Sequence, residues 1–140
     1  MIKSDELRRN NKVYWKKRVV VVDCIHPNVI SEFGAVKESI NDTYERKFIK
    51  CEELEPIPLT EDILLDNGFE KLDGFPSTFI MEIETYSLSP VIQLFAYLDN
   101  TGAASAIRLI QDSNSKGNML QIKSLHQLQN LYSILTDDEL

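Results

Sequence analysis

Arg8, Arg9, Lys12, Lys16, Lys17 and Arg18 gather six cations around the aromatic pair Tyr14-Trp15 within one short stretch. Alternation along a strand puts Lys12, Tyr14, Lys16 and Arg18 on one face, with Val13 and Trp15 on the other. Trp15 is then the core anchor, and Tyr14 is a ring standing among cations. That combination suits a phosphate-bearing ligand with a stackable base, charge for the phosphate and a ring for the base. Arg8, Arg9, Lys12, Tyr14, Lys16 and Arg18 are therefore the candidate ligand-binding residues. A solvated positive hairpin that keeps a sheet edge from aggregating would carry the same residues without binding anything.

Other spacings are less specific. Glu82 and Glu84 share a strand face, with carboxylates roughly 6–7 Å apart by strand rise. The spacing suits two-carboxylate hydrolysis or a divalent ion, and equally the wet face of a half-exposed strand. Cys24 and His26 also share a strand face, but a histidine beside a proline at a strand end is ordinarily a turn residue. His126 falls on the polar face of a terminal helix. The sequence holds no G-x-S-x-G, Walker or G-x-G-x-x-G pattern, and no catalytic residue set can be assembled from it. Two distant histidines and two cysteines outside any C-x-x-C pair argue against a zinc site. A protein without catalysis, cofactor or metal is the expectation.

Charge narrows the partners. The 140 residues hold 22 acidic and 15 basic side chains, for a net charge of −7. Residues 1–50 carry 11 of the basic and 7 of the acidic groups, a balance of +4, which leaves −11 for residues 51–140. An acidic chain is a poor binder of duplex DNA, while a local basic patch still accepts a small anion. The longest apolar run, Val91 to Leu98, falls well short of the ~18 residues that span a bilayer. The opening Met1–Glu6 has no apolar core of a secretory signal. Reduced thiols at Cys24 and Cys51, a cytoplasmic location and no membrane partner are expected.

The elements that must position these groups are mostly strands. Ser4 to Arg9 suits one helical turn capped by Ser4. Lys12 to Lys16 and Arg18 to Ile25 read as two strands joined by a tight turn. Val19-Val20-Val21-Val22 in the second is apolar on both faces and predicts cover on both sides. A weaker strand follows over Val29–Val36, interrupted by Gly34, and Asn41-Asp42 turns the chain into a strand over Thr43–Cys51. Glu52 to Pro58 reads as a connector held extended by two prolines. Thr60 caps a short helix anchored by Ile63 and Leu64, and Gly68 ends it.

The second half reads as a meander. Phe79, Met81 and Ile83 alternate with Glu82 and Glu84, Ser87–Pro90 turns the chain, and Asp99–Gly102 makes a hairpin loop. Ala106–Gln111 and Met119–Lys123 complete the strands around an Asp112–Gly117 loop. Val91 to Leu98 is apolar on both faces, so one face must find cover from the opposite sheet and terminal helix or from a second subunit. Ser124 caps a helix with Leu125, Leu128, Leu131, Tyr132 and Leu135 on one stripe and His126, Gln127, Gln129, Asn130 and Ser133 opposite. The expected fold is α+β in a single domain: a bent antiparallel sheet, barrel-like in its first half, with a short central helix and a C-terminal amphipathic helix. Its sub-halves are a basic, β-rich 1–53 and an acidic 59–140.

Three stretches carry a resemblance. Leu54 to Thr60 with the following Asn67-Gly68-Phe69-Glu70, the terminal Leu125 to Tyr132, and the opening Asp5-Glu6-Leu7-Arg8 before a Val-rich hairpin resemble small uncharacterised proteins of Bacteroidales phages and mobile elements. The matching segments cover roughly a third of the chain and include no catalytic motif. The resemblance implies a genomic setting in which small non-enzymes act on host machinery or host defence. The leading expectation is an accessory binding protein of the host cytoplasm that sequesters a phosphate-bearing small molecule, such as a nucleotide-derived defence signal. The alternatives are an interaction module that inhibits or decoys a host protein, and a hydrolase using Glu82 and Glu84.

Overall fold

The structure is a computed structural model that describes residues 1–26, 28–38, 44–84, 91–111, 117–137 and 140, with side chains described outside 32–38 and 44–47. The expected turns at Asn41-Asp42 and Ser87–Pro90, and most of the Asp112–Gly117 loop, lie outside the described residues. The chain forms two compact units, Met1–Ile57 with Leu125–Asn130, and Pro58–Ser124 with Leu131–Leu140. Each contains a curled antiparallel sheet, and two α-helices complete an α+β fold. No helix among the described residues is long and apolar enough to cross a membrane.

In the first unit a 3-10 turn at Ser4–Glu6 precedes β1 (Lys12–Trp15), β2 (Arg18–His26), β3 (Val29–Glu38) and β4 (Tyr44–Lys50). A second 3-10 turn, Cys51–Glu53, leads to β5 (Leu54–Glu55), and the sheet order is β4-β3-β2-β1-β5. The Glu52–Pro58 connector is thus partly a strand: Leu54 pairs with Trp15 and Glu55 with Tyr14. Register shifts at Val22/Cys24 and between Ser31 and Val36 mark bulges, which bend and twist a sheet. Val13, Val20, Val22, Ile30, Ile49 and Leu54 form the buried centre. The four-valine run is covered on one side only: Val20 and Val22 are buried, whereas Val19 is 49% exposed. Lys3, rather than Ser4, stands at the N-cap of the first turn, where its amide donates to Glu6 Oε1.

The second unit contains β6 (Leu59–Thr60), α1 (Glu61–Asp66), β7 (Glu70–Lys71), β8 (Thr78–Ile83), β9 (Ile92–Leu98), β10 (Ala103–Ile110) and β11 (Asn118–Leu120). Its order is β11-β10-β9-β8-β7, with β6 paired to β10. Thr60 Oγ1 accepts from the Ile63 amide, and Gly68 adopts φ 91° just beyond the helix, where a Cβ would be strained. Of the expected anchors Leu64 is fully buried and Ile63 half-buried, with Phe69 buried past the cap. The Asp99–Gly102 loop closes by the Thr101 amide and hydroxyl donating to Asp99 Oδ1, which holds that carboxyl below the usual range. Phe79, Met81 and Ile83 are buried, and Glu82 and Glu84 are exposed.

The last element, α2 (Leu125–Thr136), contributes Leu125–Asn130 to the first unit and its later turns to the second. Leu125 and Leu128 are buried as the apolar stripe requires. Its polar side is not a wet face, however. His126 and Gln129 are buried as well.

Candidate functional site

The basic hairpin exists, and its turn decides where the cations go. Trp15 pairs with Arg18, Tyr14 with Val19, Val13 with Val20 and Lys12 with Val21, leaving Lys16-Lys17 as a two-residue loop. Both loop residues have positive φ, 49° and 63°, the signature of a type I′ turn. Asn-Gly is the usual occupant, because a Cβ in the left-handed region costs about 1–2 kcal/mol per residue. Two lysines here leave their ammonium groups at the exposed tip of the hairpin.

Directly paired residues lie on the same face of a sheet. The turn therefore corrects the expectation that Lys12, Tyr14, Lys16 and Arg18 share a face: Arg18 lies opposite Trp15, away from Lys12 and Tyr14. The Lys16 ammonium sits 4.7 Å from the Trp15 ring centroid, and the Arg18 guanidinium carbon 5.3 Å from it. Both distances allow a cation–π contact. The aromatic ring among cations is thus Trp15, which is itself buried. Tyr14 is half-buried between Val19 and Glu55, with Lys12 two residues before it on the same strand face. The carboxylate of Glu55 opposes phosphate binding at that face.

The two remaining candidates lie before the hairpin. Arg9 is held by Asp23, Nε to Oδ1 3.3 Å. Arg8 is exposed, and its backbone amide donates to buried Asn11 Oδ1 at 2.8 Å. The six candidates thus fall into three places: Arg8 and Arg9 before the hairpin, Lys12 and Tyr14 on one face, and Lys16 and Arg18 about Trp15. Lys17 lies between Lys16 and Arg18 in the turn.

A cavity of about 710 Å³ opens elsewhere in the first unit, lined by Met1–Asp5, Asn28, Val29 and Lys50–Glu52. Lys3 and Lys50 line it together with Asp5 and Glu52. Its basic and acidic side chains balance. Burial pushes the Cys51 thiol up, so it is a poor nucleophile there. The exposed His26 ring meets Phe48 edge-on at 5.4 Å, and the Cys24 amide donates to Ser31 Oγ at 3.1 Å. Glu82 accepts from Gln93 Nε2 at 3.1 Å. Among the described residues no group of three His, Cys, Asp or Glu side chains is placed to hold a metal ion.

The polar arrangement that sequence periodicity missed is the docking of α2 on the N-terminal segment. Gln129 accepts from the Lys12 amide (2.9 Å) and donates to the Asn10 carbonyl. Asn130 accepts from Asn11 Nδ2 (3.0 Å) and donates to the Glu6 carbonyl (2.8 Å). His126, 2% exposed, has Nε2 3.9 Å from Glu6 Oε2. Burial lowers its pKa, against the pull of Glu6. These bonds hold the segment that enters the basic hairpin. Compared with known protein families, curated proteins and solved structures, the chain matches none.

Proposed function

We propose that this chain is a non-enzymatic binding protein that takes a phosphate-bearing ligand at the tip of the β1–β2 hairpin, through Lys16, Lys17 and Arg18. One observation carries the reading: lysines occupy both left-handed positions of a type I′ turn. A pair of bulky residues retained in a costly conformation is accounted for when their charges have a use. The tip is exposed, so it suits a terminal phosphate reached from solvent, with three cations carried by consecutive residues of the turn. Lys12 and Tyr14 lie on another face, so base stacking by Tyr14 is not part of this site.

The proposed setting is the host cytoplasm, where an accessory protein of a phage or mobile element captures a nucleotide-derived defence signal. The absence of a recognisable catalytic motif in the sequence fits capture rather than turnover. Calorimetry of the full chain against inorganic phosphate and a panel of linear and cyclic nucleotides tests this. At least one phosphorylated ligand should bind below ~10 μM, about −6.8 kcal/mol. Lys17→Gln and Arg18→Gln should each weaken it about tenfold. Failure of every ligand at that threshold, or binding indifferent to both substitutions, would refute the proposal.

A further inference from the structure

The sheet of the second unit has one buried face and one apolar face whose central residues Ile80, Phe95 and Ile110 are only half-buried. The registers place Ile80, Phe95, Tyr97 and Ile110 together on the second face, across β8, β9 and β10. Tyr97 is 38% exposed, and Met119, on β11 opposite Arg108, is 49% exposed. A solvated face of an antiparallel sheet is ordinarily polar, so apolar groups at its centre point to a covering surface.

Three charges on the same face identify the cover: Glu70, on β7 opposite Ile80, and Glu82 lie to one side and Arg108 to the other. Arg108 on β10 pairs with Phe95, and Glu82 on β8 pairs with Gln93, so they flank the central strand on opposite sides. Arg108 lies over the Tyr97 ring at 5.8 Å and its Nε is 3.4 Å from Met119 Sδ. Neither contact neutralises a guanidinium. Glu82 is exposed and takes only the Gln93 amide among its described contacts. We propose that a second copy of this chain covers this face, related by a two-fold axis running along β9. Such an axis exchanges β8 and β10. Each Arg108 then overlies the strand that carries Glu82 of the second copy, one residue pair away and within reach of its long stem. A two-fold axis across the strands would instead lay β10 on β10 and oppose like charges. Aligned packing at ~10 Å between sheets accommodates the first arrangement.

The footprint sets the strength. Three strands roughly 20–27 Å long, flanked by the short β7 and β11 and spaced ~4.8 Å apart, cover on the order of 400 Å² per copy. That is at the small end for a specific interface, so the dimer is concentration-dependent rather than permanent. This inference is independent of the anion site at the hairpin tip.

Sedimentation equilibrium of the full chain from about 5 to 300 μM tests it, with charge reversals as probes. The wild type should pass from monomer to dimer within that range. Arg108→Glu and Glu82→Arg, both surface changes, should each weaken association at least about tenfold by opposing like charges. The double reversal Arg108→Glu/Glu82→Arg should restore it to within a few-fold. A wild type that stays monomeric throughout overturns the proposal. So does a dimer that ignores both single reversals, or a double reversal that restores nothing.

Discussion

Replacing Lys17 with glycine separates the cost of the hairpin turn from its use. Lys17 has φ 63°, in the left-handed region, and its backbone lies in a two-residue loop fixed by the Trp15–Arg18 pair. Removing the Cβ relieves about 1–2 kcal/mol of native strain. Glycine also gives the unfolded chain more freedom, which offsets about 0.5–1 kcal/mol of that gain. The net expectation is a stabilisation of about 0.5–1 kcal/mol. Lys16 is the less informative target, because its ammonium lies 4.7 Å from the Trp15 ring centroid. Losing that contact would cancel about 0.5–1 kcal/mol of the relief. Urea unfolding should therefore show a higher midpoint for Lys17→Gly at unchanged slope. The same variant should bind phosphate ligands about tenfold more weakly, since one of three tip cations is gone. A stability gain with unchanged affinity would mean the lysine has no role in capture. A lower midpoint would refute the assignment of strain to this turn.

Three further outcomes follow from the packing. Gln129→Leu strips partners from the part-buried Lys12 amide and Asn10 carbonyl, so it should cost about 1–3 kcal/mol in urea unfolding despite the greater hydrophobicity of leucine. The lowered pKa of His126 means the unfolded chain binds its proton more readily than the native one. Its contribution is fully present above the unfolded value near 6.5 and is lost as pH falls from there through the lower native pKa. The urea midpoint should drop between pH 7.5 and about pH 5, and His126→Gln should flatten that drop. Gly117 has φ 69°, and an added Cβ would stand 2.5 Å from the Leu109 carbonyl oxygen and 2.7 Å from Ile110 Cγ1. Gly117→Ala should therefore destabilise by about 2–3 kcal/mol, measured by the same unfolding, with the β10–β11 pairing displaced.

Local chemistry was legible in the sequence wherever one residue type has one use. Thr60 and Gly68 mark the ends of α1 because a hydroxyl satisfies an orphan amide and glycine tolerates a left-handed backbone. The alternation of Phe79, Met81 and Ile83 with glutamates shows which face of β8 is buried. Three features were hidden for physical reasons. The Lys-Lys turn carries none of the residues that usually announce a type I′ loop, so unbroken strand alternation through it places Arg18 on the wrong face. Leu54-Glu55 reads as connector because its pairing with β1 is a long-range property of the backbone. The buried polar side of α2 escapes a hydrophobicity pattern, since Gln129 and Asn130 are satisfied by the N-terminal segment rather than by water. The candidate site followed the same rule: its residue types were visible, and their division among three places was set by the turn.

The bond between Asn11 and Asn130 spans 119 positions of the chain. At a synthesis rate of about 5–20 residues per second, the first unit's strands emerge on the order of ten seconds before the helix that finishes them. During that interval the amide of Lys12 and the side-chain nitrogen of Asn11 lack the partners that α2 gives them. Removing Leu125–Leu140 should accordingly harm the earliest-made unit along with the latest. The birth order of the polypeptide is thus the reverse of its order of completion: what is made first is among the last to become native.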